Sequence, residues 1–203
     1  MLVLLLPTPL AAQDIPLVRS LLQRVIVDEL ASHSSEETAW YNDKTKDKTR
    51  YFQMNLFGRE IDQRVASWTE ETKSWIWIEK PAESLSLELE QFEVRDGRIH
   101  FAVHAKAKLG FRVWGRIPRL VQGNASGTVH SKFTLAGSTT IAGGGLADSQ
   151  ITRLDGKLRE LQFTNDLASP LEKLVTGALN DHVENRNKKL RKSIEKAINR
   201  VKF

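Results

Sequence analysis

Residues 98–117 read RIHFAVHAKAKLGFRVWGRI. Every second residue from Ile99 gives Ile99, Phe101, Val103, Ala105, Ala107, Leu109, Phe111, Val113, Gly115 and Ile117, an almost wholly apolar set. The interleaved set is Arg98, His100, Ala102, His104, Lys106, Lys108, Gly110, Arg112, Trp114 and Arg116, which is basic and contains no acid. Successive side chains of a strand point to opposite faces, so the stretch predicts one apolar face and one positive face. Twenty extended residues would reach about 66 Å, far beyond a usual strand. Gly110 and Gly115 offer places to bend. The pattern therefore predicts a long, strongly curved antiparallel sheet whose concave face needs an equally long cover.

The flanking sequence supplies strands on both sides. SWIWIE places Trp75 and Trp77 on one face and Ile76 and Ile78 on the other, as expected of a strand covered on both sides. Leu85, Leu87 and Leu89 alternate with Ser86, Glu88 and Glu90, and Asp96-Gly97 then predicts a tight hairpin turn. Further turns are expected at Gln122-Gly123-Asn124, Gly137-Ser138 and Asp155-Gly156 in a meander that runs to Phe163. Ser32–Arg50 is polar and reads as a loop with a short extended piece at Ala39–Asn42.

Helices bracket the meander. DIPLVRSLLQRVIVDELA, from Asp14 to Ala31, carries a broad apolar stripe and a proline suited to a first turn. Ser169-Pro170-Leu171-Glu172 reads as a capping box. Apolar residues then recur at helical spacing to Val201, so an unbroken helix from Pro170 to Lys202 would span about 50 Å. That length matches the sheet. The expected architecture is α+β: a curved antiparallel sheet wrapped around a long C-terminal helix, with a shorter N-terminal helix.

The segments LLQRVIVDEL, DGRIHFAVHAKAKLGFRVWG and SPLEKLVTGALNDHVENRNKKL, in this order, resemble the tubular lipid-binding (TULIP) superfamily. Members wrap a curved sheet about a long helix and hold acyl chains between the two. The resemblance lies in pattern and order, covers the chain from about Asp14 onward, and transfers no residue role. It implies a lipid or other hydrophobic ligand.

Length and charge set further bounds. The chain has 203 residues, enough for a single domain over residues 14–203. With no cysteine, disulfides, thiolate nucleophiles and Cys-ligated zinc are excluded. MLVLLLPTPLAAQ, residues 1–13, reads as a signal peptide lacking a basic start, or as an apolar N-terminal arm; the first reading places the protein in the periplasm or envelope. The net charge of +5 is unevenly spread: residues 28–93 hold 15 acidic and 8 basic residues, leaving 10 acidic and 22 basic elsewhere. Such asymmetry points to an anionic partner.

No catalytic signature is present. The histidines are His33, His100, His104, His130 and His182. His100 and His104 share a strand face about 13 Å apart, too far to ligate one metal. Neither HExxH nor GxSxG occurs, and Gly143-Gly144-Gly145 lacks the lysine and hydroxyl of a phosphate loop. We expect no enzyme, cofactor or metal.

Two sets of residues are candidates for binding. Trp75, Trp77, Ile99, Phe101, Val103, Phe111 and Val113 are expected to line acyl chains, or else to be ordinary core. Lys106, Lys108, Arg112 and Arg116 are expected to contact anionic groups, or else to be a solvated face. The expected function is non-enzymatic lipid binding or transfer in the cell envelope. The alternative is a structural or interaction module whose basic faces dock an anionic membrane surface or a protein partner. Nucleic acid is disfavoured, because no compact motif for it occurs.

Overall fold

The computed structural model describes residues 14–56, 59–167 and 169–203. The apolar segment 1–13 lies outside them. The order is α1 (Asp14–Ala31), β1 (Trp40–Leu56), β2 (Arg59–Ile78), α2 (Pro81–Ser84), β3 (Ser86–Arg95), β4 (Arg98–Ile117), β5 (Val121–Ala142), β6 (Gly145–Phe163) and α3 (Ser169–Ile198). The strands form one curled antiparallel sheet, a half-barrel, in the order β1-β2-β4-β5-β6. One edge of β4 is shared end to end: β3 pairs with it over residues 98–106 and β2 over residues 109–116. The fold is α+β, as the alternating stretch predicts.

β4 is the alternating stretch 98–117, and its two residue sets part as expected. Each odd-numbered residue from Ile99 to Ile117 is buried, whereas among the even-numbered ones Gly110 alone is buried. The inner face joins one apolar cluster with Val18, Leu22, Ile26 and Leu30 of α1 and Leu171, Leu174, Val175, Leu179, Leu190, Ile194 and Ile198 of α3. α3 is continuous over 30 residues, about 45 Å at the usual rise. After it, Val201 accepts from the Leu146 amide at 3.1 Å and Phe203 donates to Gly144 at 2.9 Å, tying the chain to the β5–β6 hairpin.

Several expected turns move. Asp96 and Gly97 do turn the chain, both at positive φ. The β4–β5 connection is Pro118–Leu120, with Arg119 at φ 63, rather than Gln122-Gly123-Asn124. β5 runs straight through Gly137, and the next hairpin turns at Gly143-Gly144, φ 60 and 71. Asp155-Gly156 lies inside β6. These in-strand glycines serve packing. Gly127 and Gly137 stand directly opposite Phe111 and Phe101, and a Cβ on either would lie 3.0 Å or less from the partner ring. A Cβ on Gly156 would meet Phe133 and Val183 at 3.0 Å.

The larger correction is β1. Residues 43–50, read as loop, are strand, and the strand runs on through residues 51–56, paired with β2 along its whole length. Its lysines Lys44, Lys46 and Lys48 share one face, a period-2 pattern without the apolar half that usually reveals a strand. Opposed charges help hold the pair: Lys46 faces Glu70, and Asp43 faces Lys73. β2 leaves the sheet before residue 71, so residues 46–56 and 59–70 project as a two-stranded ribbon.

Candidate functional site

The structure divides the sequence-derived candidates by face. Ile99, Phe101, Val103, Phe111 and Val113 stand on the inner face, each 2% exposed or less. Phe111 meets Phe163 edge to face, with ring centroids 5.9 Å apart. Trp75 and Trp77 stand on the opposite, outer face, because their register partners are Arg112 and Gly110. Trp75 lies 5.2 Å from the Tyr41 ring. Trp77 covers Gly110, where a Cβ would sit 2.3 Å from the indole, and donates to Glu79 at 3.0 Å. The five inner residues and the two tryptophans therefore do not share one lining.

The basic row divides too. Arg112 pairs with Glu36 at 2.6 Å, and Arg116 faces Glu71 across the β2–β4 register. Lys106 and Lys108 make no ion pair among the described residues.

A cavity of about 350 Å³ opens where the ribbon leaves the sheet. β1 contributes Lys44, Lys46 and Lys48, and β4 contributes Ile117. α3 contributes Lys173, Leu174, Gly177, Ala178 and Asp181. The sequence builds it locally. Gly115 has no side chain, which lets Leu174 settle on β4; an added Cβ there would lie 2.6 Å from it. Gly177 leaves the helix surface open, with nothing within 4 Å of an added Cβ. Lys44 pairs with Asp181 at 2.8 Å and Lys48 approaches Glu70 at 4.0 Å. Lys46 and Lys173 make no ion pair among the described residues. The result is an apolar floor of Ile117, Leu174 and Ala178 beneath a cationic rim. The β1 lysines escaped sequence reasoning because a strand of lysine and threonine resembles a solvated loop. Their even spacing was the available signal.

A second polar feature is buried under α3. His182 Nδ1 and Ser74 Oγ lie 2.7 Å apart, at 2% and 1% exposure. Burial, reinforced by Arg186 and Lys189, lowers the His182 pKa to about 4, so the ring is neutral near pH 7. His182, Arg186 and Trp40 line a cavity of about 20 Å³, and His182 Nε2, Arg186 Nε and Trp40 Nε1 are buried without a protein partner. No carboxylate lines it to orient the histidine, so the Ser74–His182 contact lacks the third member of a nucleophilic triad. It fastens α3 to β2.

Among the described residues, no group of three or more His, Asp or Glu side chains could hold a metal ion, and no helix is long and apolar enough to cross a membrane.

No protein-family model matches the chain, and no curated protein matches it. Among solved structures it is similar to the crystal structure of a lipopolysaccharide binding protein, at 12% identity and a TM-score of 0.43. The alignment covers 91% of this chain and 37% of that one, so the chain spans little more than a third of that protein's length.

Proposed function

We propose that this protein is a non-enzymatic lipid-binding or lipid-transfer domain that works after export to the cell envelope. In this reading the lipid is an amphiphile with an anionic head. One observation carries the reading: the cavity between sheet and α3 combines an apolar floor of Ile117, Leu174 and Ala178 with four lysines against two carboxylates at its rim. Its volume lies in the range of ligand pockets, and apolar walls with few charged groups suit a ligand with a long tail and a small charged end. The inner row of β4 acts as the wall against which α3 is seated, and the ligand enters at the ribbon end.

Native mass spectrometry of protein purified without detergent tests this reading. The expected spectrum contains a non-covalent adduct that organic extraction identifies as a lipid. Ala178→Trp, which fills the floor, should abolish the adduct. Lys46→Glu with Lys173→Glu should select against anionic species. A wild-type spectrum with no adduct, unchanged after incubation with lipid vesicles, would sink the proposal. Fractionation of the producing cell tests the location: recovery in the cytoplasm alone would overturn export.

A further inference from the structure

The sheet register makes an arrangement on the outer face that the β4 sequence alone does not reveal. Lys106 of β4 stands opposite Lys132 of β5, and Lys132 stands opposite Lys157 of β6. The neighbouring row is Lys108, His130 and Arg159. Six basic side chains thus form a grid of two rows across three strands, and each is exposed or half-buried. Among the described residues, Lys106, Lys108, Lys132, Lys157 and Arg159 have no carboxylate at ion-pair distance, and His130 approaches Glu160 at 4.0 Å.

Like charges directly opposed across strands destabilise a sheet. Elsewhere this sheet sets opposite charges together at Lys46 and Glu70, Asp43 and Lys73, and Arg116 and Glu71, although Arg95 stands opposite Arg98. The grid is the largest cluster of opposed basic side chains in the described sheet, at a cost that a bound anion would lower.

We propose that this grid is a docking surface for the anionic head groups of a lipid bilayer. The partner follows from the shape. Three strands and two rows make a patch about 10 Å wide and 7 Å deep, small enough to lie flat on a plane although the sheet curls. Two hollows of about 1030 and 610 Å³ share Lys106, Lys132 and Arg159 in their walls; Glu88, Asp155 and Glu184 also line the first and Glu79, Glu83 and Glu160 the second, so carboxylates flank the patch. A single nucleic-acid strand would need exposed aromatic rings for its bases, and the grid presents no Phe, Tyr or Trp. With no apolar side chain to insert, the attachment is electrostatic and reversible. It complements the lipid-binding reading but uses none of the residues that line the proposed lipid cavity.

Flotation of the full chain with vesicles tests this. Binding is expected to vesicles of phosphatidylcholine mixed with phosphatidylglycerol and not to phosphatidylcholine alone. Raising the salt from about 0.1 M to about 1 M, which shortens the screening length from about 10 Å to 3 Å, should release the protein. Lys106→Glu, Lys132→Glu and Lys157→Glu together should weaken binding by at least about a hundredfold, and Lys132→Gln alone by about fivefold. The single variant carries the test if the triple variant does not fold by circular dichroism. Lys188→Glu, Lys192→Glu and Lys196→Glu on α3 match the triple variant in net charge and should bind as wild type. Equal binding to neutral vesicles, wild-type binding by the folded grid variants, or an equal loss in the α3 control would each overturn the proposal. Ala178→Trp should leave flotation unchanged, so the cavity reading and the grid reading fail separately.

Discussion

His182 sits in the apolar stripe of α3, where a leucine would otherwise be expected, and it replaces that apolar contact with a bond to Ser74. The consequence is a pH dependence whose sign can be worked out. The folded pKa, about 4, lies below the ordinary value of 6.5, so between these values the unfolded chain binds the proton more readily. Stability from this group is therefore complete above about pH 6.5 and is lost as pH falls toward 4. The loss is on the order of 3 kcal/mol. Urea titrations at pH 7 and pH 4.5 should show it for the wild type, and His182→Gln should show a smaller difference between the two. Equal pH sensitivity in the variant would assign the effect to other groups. The Phe–Gly pairs show a different kind of residue logic. Gly127 and Gly137 read in isolation as flexible or turning positions, but each yields its side-chain space to a ring on the facing strand. Only the pairing register reveals that, and a register is not written at either residue alone.

At the scale of elements, β4, α1 and α3 were legible because each buries a periodic apolar face; β4 in particular alternates over 20 residues. β1 was legible only in part, because residues 43–50 carry no continuous apolar row. Its far half, with the matching half of β2, forms a ribbon in which Tyr51, Phe52 and Val65 are 58%, 58% and 63% exposed. A ribbon of two strands without a third is marginal by itself. Replacing Tyr51–Val65 with Asn-Gly would join Arg50 to its register partner Ala66 through a favoured hairpin turn. The thermal midpoint should then change by less than about 4 °C, equivalent to about 1 kcal/mol in a chain of this size. A larger fall, measured by circular dichroism, would mean that the ribbon contributes to the core. The candidate cavity was hidden for the same reason as β1: half of its rim comes from a strand that has no apolar signature.

Across the whole molecule, composition indicated charge asymmetry but not its placement. The basic residues of β4 looked like one row in the sequence. Folding separates them into Arg112 and Arg116, which meet acids, and Lys106 and Lys108, which join basic residues from two strands further along the chain. The inner face has a related dependence on distant sequence. Every strand precedes α3, the helix that covers their apolar side. Protein synthesis runs in that same direction, so each new molecule passes through a stage in which every described strand has been made and α3 has not yet emerged. Ile99, Phe101, Phe111 and Val113 are then open to whatever apolar matter is at hand, whether a chaperone, another nascent chain or a lipid. A chain stopped after Leu167 should bind a hydrophobic dye that the complete chain excludes, and equal dye binding by both would refute this. α3 thus decides when the half-barrel stops being sticky, which gives the interval before its arrival a role in what the protein first meets.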